Sequence, residues 1–476
     1  MPFRLIPSRF MTGSVFALAA FWLCLMPSFC LDARAADHTW SGNGTTSWNS
    51  APSWVGGVVP DGNDRVIFDA SSLLSLGTIN NLVGLTGMRI RLVDPIGNVS
   101  MAGNAIGLAT VDPTIDLSAA QKDLTLSINM TQSGNTYYDV AANRTLTIKG
   151  DVDGPGVFTK KGDGVLFSDG NNLACTTYHI TGGTLKLGAA NVLPATSAVS
   201  VGADTVLNLN DNNQTIGSLS GSGQVDLGSG NFTFGDANDT TFGGLIGGDS
   251  NSGNVTKQGT GKVTLTGGER TRFTIGTLSI NAGTLQVDNF WLSISVTVAS
   301  GATLKGSGII VLAGVTINPG GNLAPGGSIG QLFCENGVAL TAGANFNMEL
   351  NGTTAGTGYD QLIVDGSLDL GDANLNLNLG FSPSNGDTFT IIDYLSLGAV
   401  TGTFNGLAEG ATFTSGGTQF QITYAGGDGN DVVLTALGPP PIPTLSEWGM
   451  IVFALLLACS TIFVMHRRRQ RDSAAS

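Results

Sequence analysis

The sequence predicts an all-β protein built from many short strands. Runs such as Leu124–Ile128, Leu278–Ile280 and Leu375–Leu379 alternate apolar and polar residues, and this period of two is typical of strands with one buried face. Between the runs stand Gly, Asn and Asp, the residues that tolerate positive φ at tight corners. No stretch between Ala36 and Gly438 has the 3.6-residue periodicity of an amphipathic helix. This whole region is therefore predicted to consist of strands and corners.

The composition supports a folded and acidic protein. Of 476 residues 69 are Gly, about twice the usual share, and only 12% are charged, while the hydrophobic content of 42% is ample for a core. Residues 36–444 carry 32 Asp and Glu against 14 Lys and Arg, a difference of −18. Such a surface repels nucleic acid and anionic membranes, so no nucleic-acid partner is expected.

Residues 1–35 have the features of a signal peptide. Arg4 and Arg9 form a positive start, residues 15–26 are an apolar segment, and Ala33-Arg34-Ala35 is an A-x-A cleavage site. We expect export through the Sec translocon and a mature chain that starts at Ala36.

Residues 36–149 begin with an aromatic segment and are predicted to form a capping region and the first turns of the coil. Trp40, Trp48 and Trp54 lie within fifteen residues and precede the predicted strand Arg65–Asp69. They could form a carbohydrate-binding platform or a hydrophobic cap over the first turn of a stacked fold. We favour the cap, because repeat folds need atypical end units to cover their exposed core.

Residues 150–437 contain an internal repeat. Its two copies, at about 155–188 and 253–288, share a T-K-x-G-x-G element and a later G-T-L element, with offsets of 97 (Gly162 to Gly259) and 100 (Gly183 to Gly283). Both copies resemble the autotransporter-associated β-strand repeat, although residues 172–179 depart from the usual loop and the second copy lacks its tyrosine. The segment from Leu323 to Gly330, LAPGGSIG, is similar to the same group. The resemblance implies a right-handed parallel β-helix.

The residues favour a parallel β-helix, or β-solenoid, for their own reasons as well. Short strands with one apolar face and glycine-rich corners can bury that face against the inside of a coil. At about 22 residues a turn, residues 36–438 would make about 18 turns and a rod near 85 Å long. Antiparallel β-sandwich modules are the alternative, but they would not explain the widely spaced repeat.

The C-terminal segment combines three signals. Residues 438–449 are a proline-rich linker with the motif IPTLSEWG, residues 448–465 carry no charge and are long enough for a transmembrane helix, and residues 466–476 hold Arg467, Arg468 and Arg469. The arginines predict a cytoplasmic tail. The order of these signals resembles the IPTL-CTERM sorting signal, whose fixed positions are present as Ile442, Pro443, Thr444, Leu445, Trp448 and Gly449. The resemblance implies processing by an exosortase-like enzyme, with the prolines keeping the motif extended and accessible.

Catalytic chemistry is not expected. Acid pairs such as Asp151/Asp153 or Asp236/Asp239 could serve a β-helix polysaccharide lyase or glycoside hydrolase, which stays the alternative function. However, 28 of the 32 acids in residues 36–444 are Asp, mostly beside Gly or Asn, as corner chemistry alone predicts. Cys175 and His179 could be considered a nucleophile and base, but a polar corner is the simpler interpretation.

Two further features bear on ligands. Residues 426–434 match one copy of the G-G-x-G-x-D-x-U-x calcium nonapeptide, with Asp428 and Asp431 as candidate ligands. Because such sites draw ligands from consecutive turns, a simple Gly/Asp turn is favoured, and no metal or cofactor is expected. Cys175 and Cys334 are far apart in sequence, and isolated buried thiols are favoured over a disulfide.

The sequence as a whole predicts an exported bacterial surface protein. We expect a structural or adhesin-like rod that contacts matrix polysaccharide or other cells. It would pass through the inner membrane as an intermediate and end at the cell surface or outside the cell.

Overall fold

The computed structural model describes residues 35–169, 173–247, 252–267, 272–273, 276–288, 291–292, 295–311, 314–438 and 445–472. Of the predicted signal peptide only Ala35 lies within these ranges. Ala33 and the rest of that segment lie outside the described residues, as do Ile442, Pro443 and Thr444.

The described strands form a parallel β-solenoid with three faces. In most turns the chain passes through a strand of the first face, then the second, then the third, before it returns to the first. The parallel β-helix predicted from the sequence is confirmed, and the alternative of antiparallel sandwich modules is wrong for this region.

The first face is one sheet of sixteen parallel strands that runs the length of the described coil. Its strands are β1 (Asp37–Thr39), β2 (Arg65–Phe68), β4 (Arg89–Leu92), β7 (Ile115–Leu117), β10 (Thr136–Val140), β13 (Val157–Lys161), β15 (Thr177–Ile180), β17 (Ala198–Val201), β20 (Leu219–Gly221), β23 (Thr240–Phe242), β26 (Lys262–Leu265), β29 (Thr284–Val287), β32 (Thr303–Gly306), β35 (Asn322–Pro325), β38 (Asn345–Leu350) and β41 (Asn374–Leu379).

The second face consists of two consecutive sheets. The first of them holds β3 (Gly77–Asn80), β5 (Val99–Gly103), β8 (Leu124–Ser127), β11 (Thr145–Ile148), β14 (Val165–Ser168), β16 (Thr184–Leu187), β18 (Val206–Asn208), β21 (Gln224–Asp226) and β24 (Leu245–Ile246). The other continues with β27 (Arg272–Phe273), β30 (Trp291–Leu292), β33 (Ile309–Ile310), β36 (Gln331–Cys334), β39 (Gln361–Val364) and β42 (Thr388–Tyr394).

The third face is also divided into two sheets. Its strands are β6 (Ile106–Leu108), β9 (Met130–Gln132) and β12 (Val152–Asp153), followed by β19 (Gln214–Thr215), β22 (Phe232–Phe234), β25 (Val255–Lys257), β28 (Thr277–Ile280), β31 (Ser295–Val298), β34 (Val315–Ile317), β37 (Val338–Leu340) and β40 (Leu368–Asp369).

The predicted length of about 22 residues a turn agrees with the average in the structure. The predicted number of about 18 turns is too high, because the first face has sixteen strands. Paired residues on the first face are between 19 positions apart, at Thr284 and Thr303, and 29 apart, at Asn345 and Asn374. Sixteen strands at about 4.8 Å give a sheet about 72 Å long, shorter than the expected 85 Å. The difference arises because the chain after β42 does not continue the coil.

The coil is closed at its C-terminal end by an antiparallel unit. Strands β43 (Thr412–Ser415), β44 (Thr418–Gly426) and β45 (Asp431–Gly438) form a meander, and β45 pairs antiparallel with β42. Ser415 Oγ also donates a hydrogen bond of 3.2 Å to the carbonyl of Leu377 in β41, the last strand of the first face. These contacts cover the end of the coil where another turn would otherwise pair.

The core is a continuous column of inward-facing apolar side chains. Alternate residues of most strands are buried, for example Leu124 and Leu126 in β8. Aromatic rings also contact each other from turn to turn. The Tyr138 and Phe158 rings stack with centroids 4.2 Å apart, and the Phe158 and Tyr178 rings are tilted with centroids 5.6 Å apart. The period-two pattern in the sequence therefore arises because every second side chain of a strand points into this column.

Corner Asn and Asp side chains connect successive turns. The side-chain oxygens of Asn98, Asn129 and Asn231 accept hydrogen bonds of 3.0–3.1 Å from backbone N–H groups of the following turn. Such bonds satisfy backbone donors that the strand ladder does not reach at the corners. The abundance of these two residue types is thus explained by the architecture itself.

Candidate functional sites

The three N-terminal tryptophans form a buried cluster. Trp40 and Trp54 contact edge to face at 4.9 Å between ring centroids, and Trp48 and Trp54 do so at 5.6 Å. The indole N–H of Trp54 donates a 2.7 Å hydrogen bond to the carbonyl of Trp48. All three rings are at most 2% exposed, so they cannot form a sugar-binding platform. Their burial is what a hydrophobic cap over the first turn requires, and the cap itself stays a prediction.

The repeat places two lysines inside the coil, a role that the sequence analysis missed. Lys160 and Lys257 occupy the same position of the T-K-x-G-x-G element and are both completely buried. The ammonium group of Lys160 donates to the carbonyls of Lys161, Gly162 and Gly182 at 2.7–3.0 Å. It thereby ties one corner to the corner of the next turn.

Lys257 makes similar contacts in the second copy, to the carbonyls of Gly259, Gly261 and Ala282 at 2.6–3.0 Å, and two of these three positions correspond between the copies. Burial lowers the pKa of Lys160 and of Lys257 to about 8. The signal available in the sequence was the recurrence of one Lys at a position that should be apolar in a strand of period two.

The glycines of the same element are needed for the corner. Gly162 and Gly259 have φ of +68° and +71°. A Cβ atom at Gly162 would lie 2.4 Å from the carbonyl oxygen of Val140. Only glycine fits at this close approach between turns.

Cys175 and His179 do not form a catalytic pair. His179 lies at an exposed position of β15, whereas Cys175 is buried, with its Sγ 3.0 Å from the side-chain nitrogen of Gln132. Burial raises the pKa of the Cys175 thiol to about 11, which keeps it protonated and unreactive. Cys334 is likewise buried and free, and burial raises its pKa to about 12. The prediction of two isolated thiols is confirmed.

The acid pair Asp236 and Asp239 is engaged in corner hydrogen bonds. Asp236 accepts from the hydroxyl of Ser218 at 2.6 Å and from the backbone N–H of Asn238 at 2.8 Å. Asp239 accepts from the backbone N–H of Lys262 at 2.7 Å. These carboxylates stabilise the corners of the coil. Because the hydrogen-bond donors lie close to the backbone, the short Asp side chain is preferred over the longer Glu.

The segment that matches the calcium nonapeptide forms the turn between β44 and β45. Gly427 and Gly429 have positive φ, and the N–H of Gly429 donates to the carbonyl of Gly426 at 2.8 Å. Asp431 is 7% exposed and accepts a 2.9 Å hydrogen bond from the backbone N–H of Tyr394. Burial raises the pKa of Asp431. The Gly/Asp turn favoured from the sequence is the observed structure.

The C-terminal segment forms one long helix, α1 (Leu445–Asp472). Its stretch Trp448–Gln470 is long and apolar enough to cross a membrane, and none of its apolar window is buried against the described chain. The hydroxyls of Ser460 and Thr461 donate to carbonyls of the preceding turn at 2.9 and 2.8 Å. These polar side chains are thereby satisfied within the helix, as a lipid environment requires.

The sorting motif lies across the start of this helix. Leu445 to Gly449 are helical, so the expectation of an extended motif is wrong for its second half, and the side chain of Trp448 is about half exposed. At the other end Arg467, Arg468 and Arg469 are exposed, and the Arg467 guanidinium lies 5.6 Å from the Phe463 ring centroid. The helix thus continues past residue 465, the predicted end of the apolar segment.

Residues 440–471 match the family profile of the IPTL-CTERM motif. The chain carries an IPTL-CTERM motif. The match contains the whole IPTL and Trp-Gly pattern, the apolar part of α1 and the arginine cluster. The sorting-signal resemblance predicted from the sequence is therefore confirmed for this part of the chain.

Comparison of the fold gives remote similarity to solved structures, among them an adhesin. The crystal structure of the Haemophilus influenzae Hap adhesin has 11% sequence identity and a TM-score of 0.20, over 78% of this chain and 63% of the adhesin chain. This chain therefore corresponds to less than two thirds of that protein's length. A TM-score this low does not establish a shared fold. No curated protein is similar in sequence.

Proposed function

We propose that this protein is an exported, adhesin-like surface protein whose β-solenoid is displayed outside the cell after an exosortase-like enzyme processes its C-terminal signal. The observation that carries the proposal is the IPTL-CTERM match at residues 440–471, which includes a helix of membrane-spanning length. Such a tail would hold the protein in the inner membrane until the processing enzyme acts on residues Ile442 to Gly449.

The coil is suited to display rather than to catalysis. Its long first face presents outward side chains on sixteen strands while the apolar column stays closed. Of the acid pairs considered for glycan cleavage, Asp236 and Asp239 are bound to corner groups. The acidic surface favours neutral or cationic contacts over anionic ones. We therefore favour binding of matrix polysaccharide or of another cell over turnover of a substrate.

The sorting proposal is tested with variants of the motif in cells. We expect Pro443→Ala and Trp448→Ala to leave full-length protein in the inner membrane, because both residues are fixed positions of the pattern. Ser446→Ala is the matched control, since it lies in the same motif at a variable position. Immunoblots of inner-membrane, outer-membrane and released fractions report the size and location of each variant.

Two outcomes would contradict the proposal. Normal processing and surface exposure of both motif variants would show that α1 is a simple anchor. Accumulation of the Ser446→Ala control in the inner membrane would show that the assay reports damage to the helix rather than recognition of the motif.

A further inference from the structure

A cavity of about 190 Å³ lies on the outer surface of the first face, near the C-terminal end of the coil. Ala324 creates the depression. It pairs with Lys305 on β32, and the next two strands present Asn347 and Asn376 as a second pair on the same outer surface. The single methyl group of Ala324 between these longer side chains leaves space above the sheet.

One wall of the cavity is the glycine-rich segment LAPGGSIG noted in the sequence. Gly306 and Gly326 exchange backbone hydrogen bonds of 3.1 and 2.7 Å, which turn this segment back beside the sheet. Asp360, only 2% exposed, accepts from the backbone N–H of Gly330 at 3.0 Å and of Glu349 at 2.8 Å. The wall is therefore fixed by backbone contacts and by one buried carboxyl group.

The base of the cavity is also held in place. The side-chain amide of Asn376 donates to Asn347 at 2.9 Å, and Asn347 donates to Asn322 at 3.4 Å. A ladder of this kind limits the rotamers of the amides that face the cavity. Such preorganisation lowers the entropy cost of binding a ligand.

Several polar groups that line the cavity make no hydrogen bond, although Lys305 and Glu349 interact electrostatically with Asp360. Within the described chain, the ammonium of Lys305, the carboxylate of Glu349, the amide of Asn378 and the hydroxyl of Ser328 make no side-chain hydrogen bond or ion pair. Together they offer a charged donor, a charged acceptor and two groups that both donate and accept. A ligand that is rich in hydroxyl groups and has no net charge matches this set.

The size and charge of the cavity restrict the ligand further. Its volume is below the range of about 300–1,000 Å³ for drug-sized ligands, so it accommodates about one sugar ring. Lys305 and Glu349 carry opposite charges, so a charged sugar is attracted by one of them and repelled by the other and gains no net attraction. We propose that this cavity binds one neutral hexopyranose residue of an extracellular polysaccharide. This inference names a ligand class for the proposed adhesive role and rests on it.

The test measures sugar binding to the purified full-length chain in detergent micelles. Saturation-transfer NMR with the methyl glycosides of glucose, galactose and mannose is expected to show saturable binding of at least one of them, with a Kd on the order of 1 mM. We expect Glu349→Ala to weaken that binding about tenfold, because a charge-assisted hydrogen bond is lost. Ala324→Phe fills the cavity and is expected to abolish binding. Lys262→Ala, at another outward position of the first face, is the matched control and should bind normally.

Three results would overturn the inference. The first is the absence of saturable binding for all three glycosides, and the second is unchanged binding by the Ala324→Phe variant. The third is tighter binding of methyl glucuronide or methyl glucosaminide, which would exclude a neutral ligand. Because the assay uses purified protein, it is independent of cell fractionation, so failure here and failure of the sorting proposal can be told apart.

Discussion

The buried lysines of the repeat lead to a sharp prediction about stability. Lys160→Met keeps the apolar stem but removes the ammonium group, which leaves the carbonyls of Lys161, Gly162 and Gly182 without their donor. A buried acceptor without a partner costs about 1–3 kcal/mol. The bond to Gly182 is fully buried, whereas water can reach the other two carbonyls.

The expected loss follows from these contacts. One full penalty and two partial ones amount to about 2–4 kcal/mol, and Met also relieves the cost of burying an ammonium group. We therefore expect a net local destabilisation of about 2 kcal/mol, or about 30-fold faster exchange of protected amides. Hydrogen exchange of residues 162–184 at pH 6 measures this, because long repeat folds do not unfold in one cooperative step.

The neighbouring residue on the same strand is the matched control. Lys161 points outward and forms a partly exposed ion pair with Asp112 at 2.8 Å, so Lys161→Met is expected to cost about 0–1 kcal/mol. Lys257→Met should reproduce the effect of Lys160→Met in the second copy. If exchange in Lys160→Met equals that in Lys161→Met, the three carbonyls do not depend on the ammonium group and our explanation of the repeat is wrong.

Three more predictions concern other parts of the coil. Burial raises the pKa of Asp360 to about 7, so its stabilising contribution is complete below pH 4 and is lost as the pH rises through 7. Protection factors of amides near Asp360, which correct for the faster intrinsic exchange at higher pH, should thus be lower at pH 8 than at pH 5, a difference that Asp360→Asn should reduce. Trp54→Ala should cost about 3–5 kcal/mol and release the first strands, seen as early proteolysis near the N-terminus; an intact N-terminal segment would contradict the cap. Cys175 and Cys334 should resist a thiol reagent in native protein and react in denaturant, and modification without denaturant would argue against their burial.

The sequence allowed a good prediction of the fold because the coil repeats one simple rule. Every second residue of a strand points into the core column and must be apolar, and corners need Gly, Asn or Asp. The local pattern of a segment such as Leu124–Ile128 is therefore sufficient to predict a strand. The burial of the tryptophans was predictable for the same reason, since an exposed end of the column must be covered. A turn of about 22 residues was assumed for a parallel β-helix, and the paired strands of the first face agree with it on average.

Other features could not be read from local patterns. Residues 412–438 form strands like the rest of the chain, but they pair antiparallel, and an alternating pattern does not indicate strand direction. Leu375, Leu377 and Leu379 were expected to lie on a buried face, yet they are only half-buried because β41 is the last strand of its sheet. Lys160 was missed because a charged residue normally marks the solvent side of a strand.

The candidate sites differ in how well they could be predicted from the sequence alone. The sorting motif was evident from six fixed positions in order, because such a signal is a linear pattern that an enzyme reads. Its second half is helical, which the prolines upstream did not suggest. The cavity beside Ala324 was not predicted, since it depends on which residues of four turns become neighbours, and that register is set by the whole coil.

Other segments of the chain lie over both ends of this coil, and this limits how copies of the protein can assemble. At the N-terminal end the backbone N–H of Val55 is bonded to the carbonyl of Thr39 in β1, and at the other end the antiparallel meander adjoins β41 and β42. These segments lie where a further turn would stack at each end of the described coil, so end-to-end polymerisation into fibres is disfavoured. Each copy would then remain a separate molecule at the cell surface. The strength of binding would increase with the number of copies rather than with the length of a fibre.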